Sequence, residues 1–218
     1  MISPSIAPLE KPAAFLNGAH IGYWSNSIGA TSFSSTPIVE HLRQILERDH
    51  GVNVTTQNYS VDSQTTRDLI ASGNTNLISG RKPDRRNIAI IQEGTNDLYF
   101  YDLSTANRVT LAAANLRDLC RRAQLSGWYV VLMGCPPRAN GYPPSATNPA
   151  QYTADINALN VILEATWYEY ADLYFDFRQH LPYYVAADPY APDGVHPQQY
   201  GCALIAAHLA RYLVQSIG

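Results

Sequence analysis

The chain has 218 residues, of which 46% are hydrophobic, and a formal net charge of −3 with a pI near 6.0. That is enough apolar material for one domain with a sizeable core, and too much for a disordered chain. No basic stripe or acidic tail gives electrostatic support for a nucleic-acid partner, and no apolar run reaches the roughly 18–20 residues that span a bilayer.

Met1–Asn17 carries three prolines and no apolar h-region, so it reads as an extended lead-in and not as a signal peptide. Residues 18–218 read as a single domain. The expectation leans to a secreted mature domain whose leader lies outside this stretch. The first strand spans Ala19–Trp24 and gives way to Ser25-Asn26-Ser27-Ile28-Gly29. A loop rich in Ser and Thr, Ala30–Thr36, ends at Pro37. Thr36 as N-cap with Pro37 in the first turn opens a helix to about Arg48, with Ile38, Leu42, Ile45 and Leu46 on one face.

Val52–Gln57 is expected as the second strand, followed by the polar turn Asn58–Gln64 and a short helix over Thr65–Ala71. Glycine, asparagine and proline punctuation predicts a loop over Ser72–Asn87. Ile88–Gln92 is a continuously apolar third strand that ends in Glu93-Gly94-Thr95-Asn96-Asp97. The spacing of Val109, Ala113, Leu116, Cys120 and Ala123 predicts a helix over Ala106–Ser126, stopped by Gly127. Trp128–Gly134 is the fourth strand.

Cys135–Pro149 contains five prolines and predicts an irregular excursion, of the kind that often covers a site. A helix over Ala150–Tyr170, a fifth strand at Leu173–Phe177, a loop from Arg178 to Pro192 with one helical turn, and a last helix over Pro197–Ser216 complete the chain. Alternation of strands and helices, with no internal repeat, predicts one α/β domain with a parallel sheet covered on both faces.

Ligands bind at the carboxyl ends of strands in such folds. Three polar stretches fall there: Ser25-Asn26-Ser27 after the first strand, Asn96 after the third, and Asp193-Gly194-Val195-His196-Pro197 before the last helix. Taken singly, each also reads as an ordinary turn or helix cap. Together they supply a nucleophile, an amide donor, a base and a carboxylate to orient it, which is a parts list for acyl transfer.

At these residues the chain resembles the SGNH (GDSL-type) hydrolases. Gly94-Thr95-Asn96-Asp97 and Asp193-Gly194-Val195-His196 match the third and last blocks of that family in order and position, and Gly201 with the helix after it is also similar. The resemblance implies a three-layer α/β/α, flavodoxin-like fold with a five-stranded parallel sheet. It implies an ester hydrolase that uses Ser27, His196 and Asp193 as triad. Its oxyanion hole would be the backbone N–H groups of Ser27 and Ser63 with the Asn96 side chain. No cofactor or metal is expected.

Two blocks depart from the family pattern. Ser25-Asn26-Ser27 stands where the family has Gly-Asp-Ser, and Ser63 stands where it has a glycine. The Ser63 side chain would either crowd the acyl group or add a donor. The Ser…Asp…His order also occurs in α/β-hydrolases, but the Gly-x-Ser-x-Gly elbow is missing.

The expected substrate is a small-molecule or carbohydrate ester with a short acyl group, with lipase, lysophospholipase and thioesterase activities as alternatives of the same fold. A binding protein with a decayed site is the rival class. Tyr99, Tyr101 and Arg138 are candidate substrate contacts, with Asn140 and Tyr142 beside Arg138. Asp97 is expected to hydrogen-bond backbone. His20, His41, His50, His180 and His208 lack paired spacing and read as structural or surface residues. Cys120, Cys135 and Cys202 show no CxxC spacing and read as buried thiols, with one bridged pair still open.

Overall fold

The computed structural model describes residues 15–100, 105–138, 148–181 and 189–218. Strands β1 (His20–Ser25), β2 (Thr55–Asn58), β3 (Asn87–Gln92), β4 (Tyr129–Met133) and β5 (Leu173–Phe175) form one sheet in the order β2-β1-β3-β4-β5. Every pairing is parallel. A parallel sheet buried on both faces needs strands apolar on both sides. That is why Ile88, Ala89, Ile90 and Ile91 in β3 are all wholly buried, as are Val130–Met133 in β4.

Side-chain alternation sorts these residues into two cores. Ile21, Tyr23, Ile88, Ile90, Val131 and Met133 face helices α1 (Ile38–His50) and α7 (Gln199–Ile217). Trp24, Ala89, Ile91, Val130 and Leu132 face α2 (Thr66–Ser79), α4 (Thr105–Leu125) and α5 (Pro149–Thr166). The expected α/β/α layering is therefore present. Short helices α3 (Thr95–Phe100) and α6 (Phe177–His180) follow β3 and β5 directly.

Several boundaries differ from expectation, each for a local reason. Pro37 is itself the N-cap of α1, and Thr36 makes no side-chain cap; its N–H donates to Gln199 Oε1 instead. Helix α2 runs to Ser79 through what the sequence predicts as loop. It is started by a capping box between Thr65 and Asp68 and kept on the sheet by buried Leu69 and Leu77, whose carbonyl accepts from the Trp128 indole N–H. Strand β2 is an edge strand and only half buried, so its apolar signal is weak and it starts at Thr55.

Residues 1–14 of the expected lead-in lie outside the described residues. Phe15–Gly18 form a turn that seats Leu16 in the core and sets Phe15 against Tyr129. All three cysteines are buried and free. Among the described residues no helix is long and apolar enough to cross a membrane.

The site is placed by topology. From β1 the chain crosses first to β2 on one side and later to β3 on the other, so the connections diverge between β1 and β3. That divergence opens a crevice at the carboxyl ends of the two strands. Their register closes at Ser25↔Gln92, so the chain leaves the sheet as Asn26 and Glu93 side by side.

Candidate active site

Ser27 is held by the turn that follows β1. The Asn26 carbonyl accepts from the N–H groups of Gly29 and Ala30, and the Asn26 side chain accepts from Ile28 N–H. This leaves the Ser27 side chain at the crevice, 8% exposed, with Oγ 2.9 Å from His196 Nε2. His196 Nδ1 in turn lies 2.6 Å from Asp193 Oδ2. These distances set the tautomer: a proton on Nδ1 faces the carboxylate, and Nε2 is left to accept from Ser27.

The Asp193–His196 loop keeps that geometry by local bonding. Asp193 Oδ1 accepts from the backbone N–H groups of Val195 and His196, at 2.9 and 2.8 Å. Gly194 between them has φ +76°, which a side chain disfavours. Partial burial pushes the Asp193 carboxyl up, but the His196 N–H, the His196 ring and the Val195 N–H outweigh it, so Asp193 sits below its ordinary value. It is therefore ionised at neutral pH.

Ser63 lies on the turn after β2. Its φ is +60°, the single positive value among described non-glycine residues. A glycine-like backbone thus survives at the position where the resemblance calls for glycine. Neither the Ser27 nor the Ser63 backbone N–H donates to another described residue. Asn96, in the first turn of α3, donates from Nδ2 to the Gln64 carbonyl at 2.8 Å, which fixes the amide and leaves its second Nδ2 proton for the cleft. Ser25 is no source of strain: it ends β1 without positive φ and donates to Gln92 Oε1.

A cleft of ≈ 290 Å³ opens beside these groups; its walls include Phe33, Asp62, Tyr99, Phe100 and Tyr152 as well as Ser27, Ser63, Asn96 and His196. Phe33 stacks on the His196 ring. The Ser32 hydroxyl bonds Asp62 across the mouth, while Ser34, Ser35 and the Thr36 N–H all donate to Gln199 Oε1 and hold the Phe33 loop to α7. Among the described residues no group of three or more His, Cys, Asp or Glu side chains could hold a metal ion.

The other candidates fall as follows. Tyr99 lines the cleft, and Tyr101, Asn140 and Tyr142 lie outside the described residues. The sequence reading sets Arg138 against substrate; the structure puts it behind the wall, buried, with Nη1 donating to the Gly194 and Val195 carbonyls. It braces the histidine loop. Asp97 does bond backbone, but across the site: Oδ2 accepts from Thr66 N–H at 2.9 Å, joining the third block to the start of α2. His20 bonds Thr55 within the sheet, and His41 meets Gln199.

Residues missed by sequence reasoning are Phe33, Asp62, Tyr152 and the buried Glu93. Phe33 sits in a Ser/Thr loop without periodicity, and Tyr152 reads as an ordinary helix position. Glu93 did carry a signal, a carboxylate directly after a fully apolar strand.

A model of the GDSL-like lipase/acylhydrolase family matches residues 21–204. The chain belongs to this family. As a GDSL-like acylhydrolase it is a carboxylic ester hydrolase. The fold is shared with a lipase/acylhydrolase from Enterococcus faecalis at 18% identity and TM-score 0.67, covering 90% of this chain and 96% of the other. It is shared too with Axe2, an acetylxylan esterase from Geobacillus stearothermophilus, at 22% identity and TM-score 0.63, covering 94% and 96%. No curated protein matches the chain in sequence.

Proposed function

We propose that this GDSL-like acylhydrolase cleaves short acyl esters of neutral alcohols, carbohydrate O-acetyl groups being the narrower substrate, through a Ser27–His196–Asp193 triad. The observation that carries the reading is the unbroken chain from Ser27 Oγ through His196 to Asp193, opening on a cleft that also holds Asn96.

Ser27 Oγ attacks the ester carbonyl carbon as its proton passes to His196 Nε2. Asp193 holds the ring and offsets the imidazolium charge. The carbonyl oxygen becomes an oxyanion, received by the Ser27 and Ser63 N–H groups and the Asn96 amide. Collapse breaks the bond to the alcohol, which leaves with the proton from His196. Water then gives a proton to His196 and attacks the acyl-enzyme, and the second collapse returns that proton to Ser27 and frees the acid.

The short-acyl preference is supported by the cleft's modest volume. The neutral alcohol is supported by its lining: Asp62 is acidic, Lys and Arg are missing among the described lining residues, and Phe33, Tyr99, Phe100 and Tyr152 offer aromatic faces. Axe2, named as an acetylxylan esterase, lends the carbohydrate reading an analogy of fold.

The test is turnover of p-nitrophenyl acetate against the butyrate and octanoate, then of acetylated xylo-oligosaccharide. Acetate is expected to be fastest and Ser27→Ala inactive. Faster turnover of octanoate would favour the lipase alternative.

A further inference from the structure

Asn26 stands beside the nucleophile where the family pattern has an aspartate, and its surroundings supply a reason. Asn26 and Glu93 follow the last rung of the β1–β3 pairing, and both are wholly buried. Asn26 Nδ2 donates to Glu93 Oε2 at 3.0 Å, while Asn26 Oδ1 accepts from Ile28 N–H at 3.0 Å. One side chain therefore ties the end of β3 to the turn that carries Ser27.

An aspartate at position 26 would keep the bond to Ile28 but would set a second buried carboxyl against Glu93. Among the described residues no ion pair reaches either residue and Glu93 Oε1 has no hydrogen-bond partner. Two like charges at this distance in a buried site cannot both ionise without a large penalty. Burial and the nearby Asp97 charge push the Glu93 carboxyl well up, with the Asn26 and Gly94 donors offsetting part of this. Glu93 is thus a buried acid that the hydrolytic steps do not use.

We infer that Glu93 is a positioning residue for the Ser27 nucleophile, acting through Asn26, and that positions 26 and 93 form a matched pair of which only one member can be an ionised carboxyl. The inference rests on Ser27 being the nucleophile.

The test uses the full chain with Asn26→Asp, Glu93→Leu, Glu93→Gln, the double variant Asn26→Asp/Glu93→Gln, and Ser27→Ala as control. The readouts are kcat and KM on p-nitrophenyl acetate, the rate of labelling by a fluorophosphonate, and circular dichroism for folding. Asn26→Asp and Glu93→Leu are expected to lower kcat and labelling by about 10–10²-fold, the scale of a displaced reacting group, with little change in KM. Glu93→Gln, still able to accept from Asn26, is expected to lose much less than Glu93→Leu.

The double variant, which moves the single carboxyl from position 93 to position 26, is expected to recover most of the loss in Asn26→Asp. If Asn26→Asp fails to fold, a folded and active double variant is the same rescue. A double variant no better than Asn26→Asp, or a folded Glu93→Leu with unchanged kcat and labelling rate, would overturn the inference. Activity retained in Ser27→Ala would instead overturn the nucleophile assignment on which it stands.

Discussion

The rings of Phe33 and His196 lie face to face, with centroids 3.6 Å apart and planes 4° from parallel. Phe33 is 42% exposed, so little folding energy depends on it. In the proposed mechanism its face meets the ring that becomes positive when Ser27 gives up its proton. A cation over an aromatic face gains about 0.5–1 kcal/mol at a partly exposed site, or roughly 2–5-fold in rate. Phe33→Leu, which keeps bulk but not the quadrupole, should lower kcat by about that factor and leave Tm nearly unchanged. Steady-state kinetics with p-nitrophenyl acetate checks this, and unchanged kcat would show that the stack is only a wall.

Ser63 carries a side chain at a backbone angle suited to glycine. The left-handed region costs a residue with a Cβ on the order of 1 kcal/mol. Ser63→Gly should therefore raise stability by up to about 1 kcal/mol, less the extra freedom glycine has in the unfolded chain. Ser63→Ala should give no such gain. Thermal denaturation of the two variants side by side distinguishes relief of backbone strain from loss of the hydroxyl.

Asn96 has its amide fixed by the Gln64 carbonyl before substrate arrives. In the proposed mechanism Asn96→Ala removes one oxyanion donor, and such losses lower kcat by about 10²–10³-fold. KM should move far less, because the donor matters most when charge has developed. A loss confined to KM would place Asn96 in ground-state binding instead.

Burial, with the Asp97 charge adding to it, holds the Glu93 carboxyl well above its ordinary 4.5. The unfolded chain then releases this proton at lower pH than the folded one. The stability tied to Glu93 is complete below about 4.5 and is lost as pH rises toward the higher folded value. Glu93→Gln removes that loss. The Tm of the variant minus that of the parent should grow as pH is raised from 4.5, as scanning calorimetry across pH would show. A constant difference would contradict the raised value.

The layered fold was legible because its signals are collective. β3 and β4 are unbroken apolar runs, and the faces of α1 and α7 repeat at helical spacing, so no single residue decides them. Thr95–Asp97 and Asp193–His196 were legible as short blocks whose local turns fix their own geometry. The extension of α2 to Ser79 was not, since Ser72–Asn76 has loop composition and its place is set by Leu77 and Trp128, contacts far apart in sequence. The partners of Phe33 and Glu93 escaped for the same reason, although Glu93 itself stands out as a carboxylate after an apolar strand. One meets the His196 ring and the other Asn26, and neither pairing leaves a trace in local spacing.

The most direct test of the Ser27–His196–Asp193 triad is reaction of the full chain with a fluorophosphonate, followed by mapping of the adduct by mass spectrometry. Formation of the adduct needs a nucleophilic serine, its base and an oxyanion site together. One adduct is expected, on Ser27, formed at a rate that falls sharply in His196→Ala and absent in Ser27→Ala. An adduct on another serine, or folded protein in which Ser27 stays unmodified, would contradict that triad.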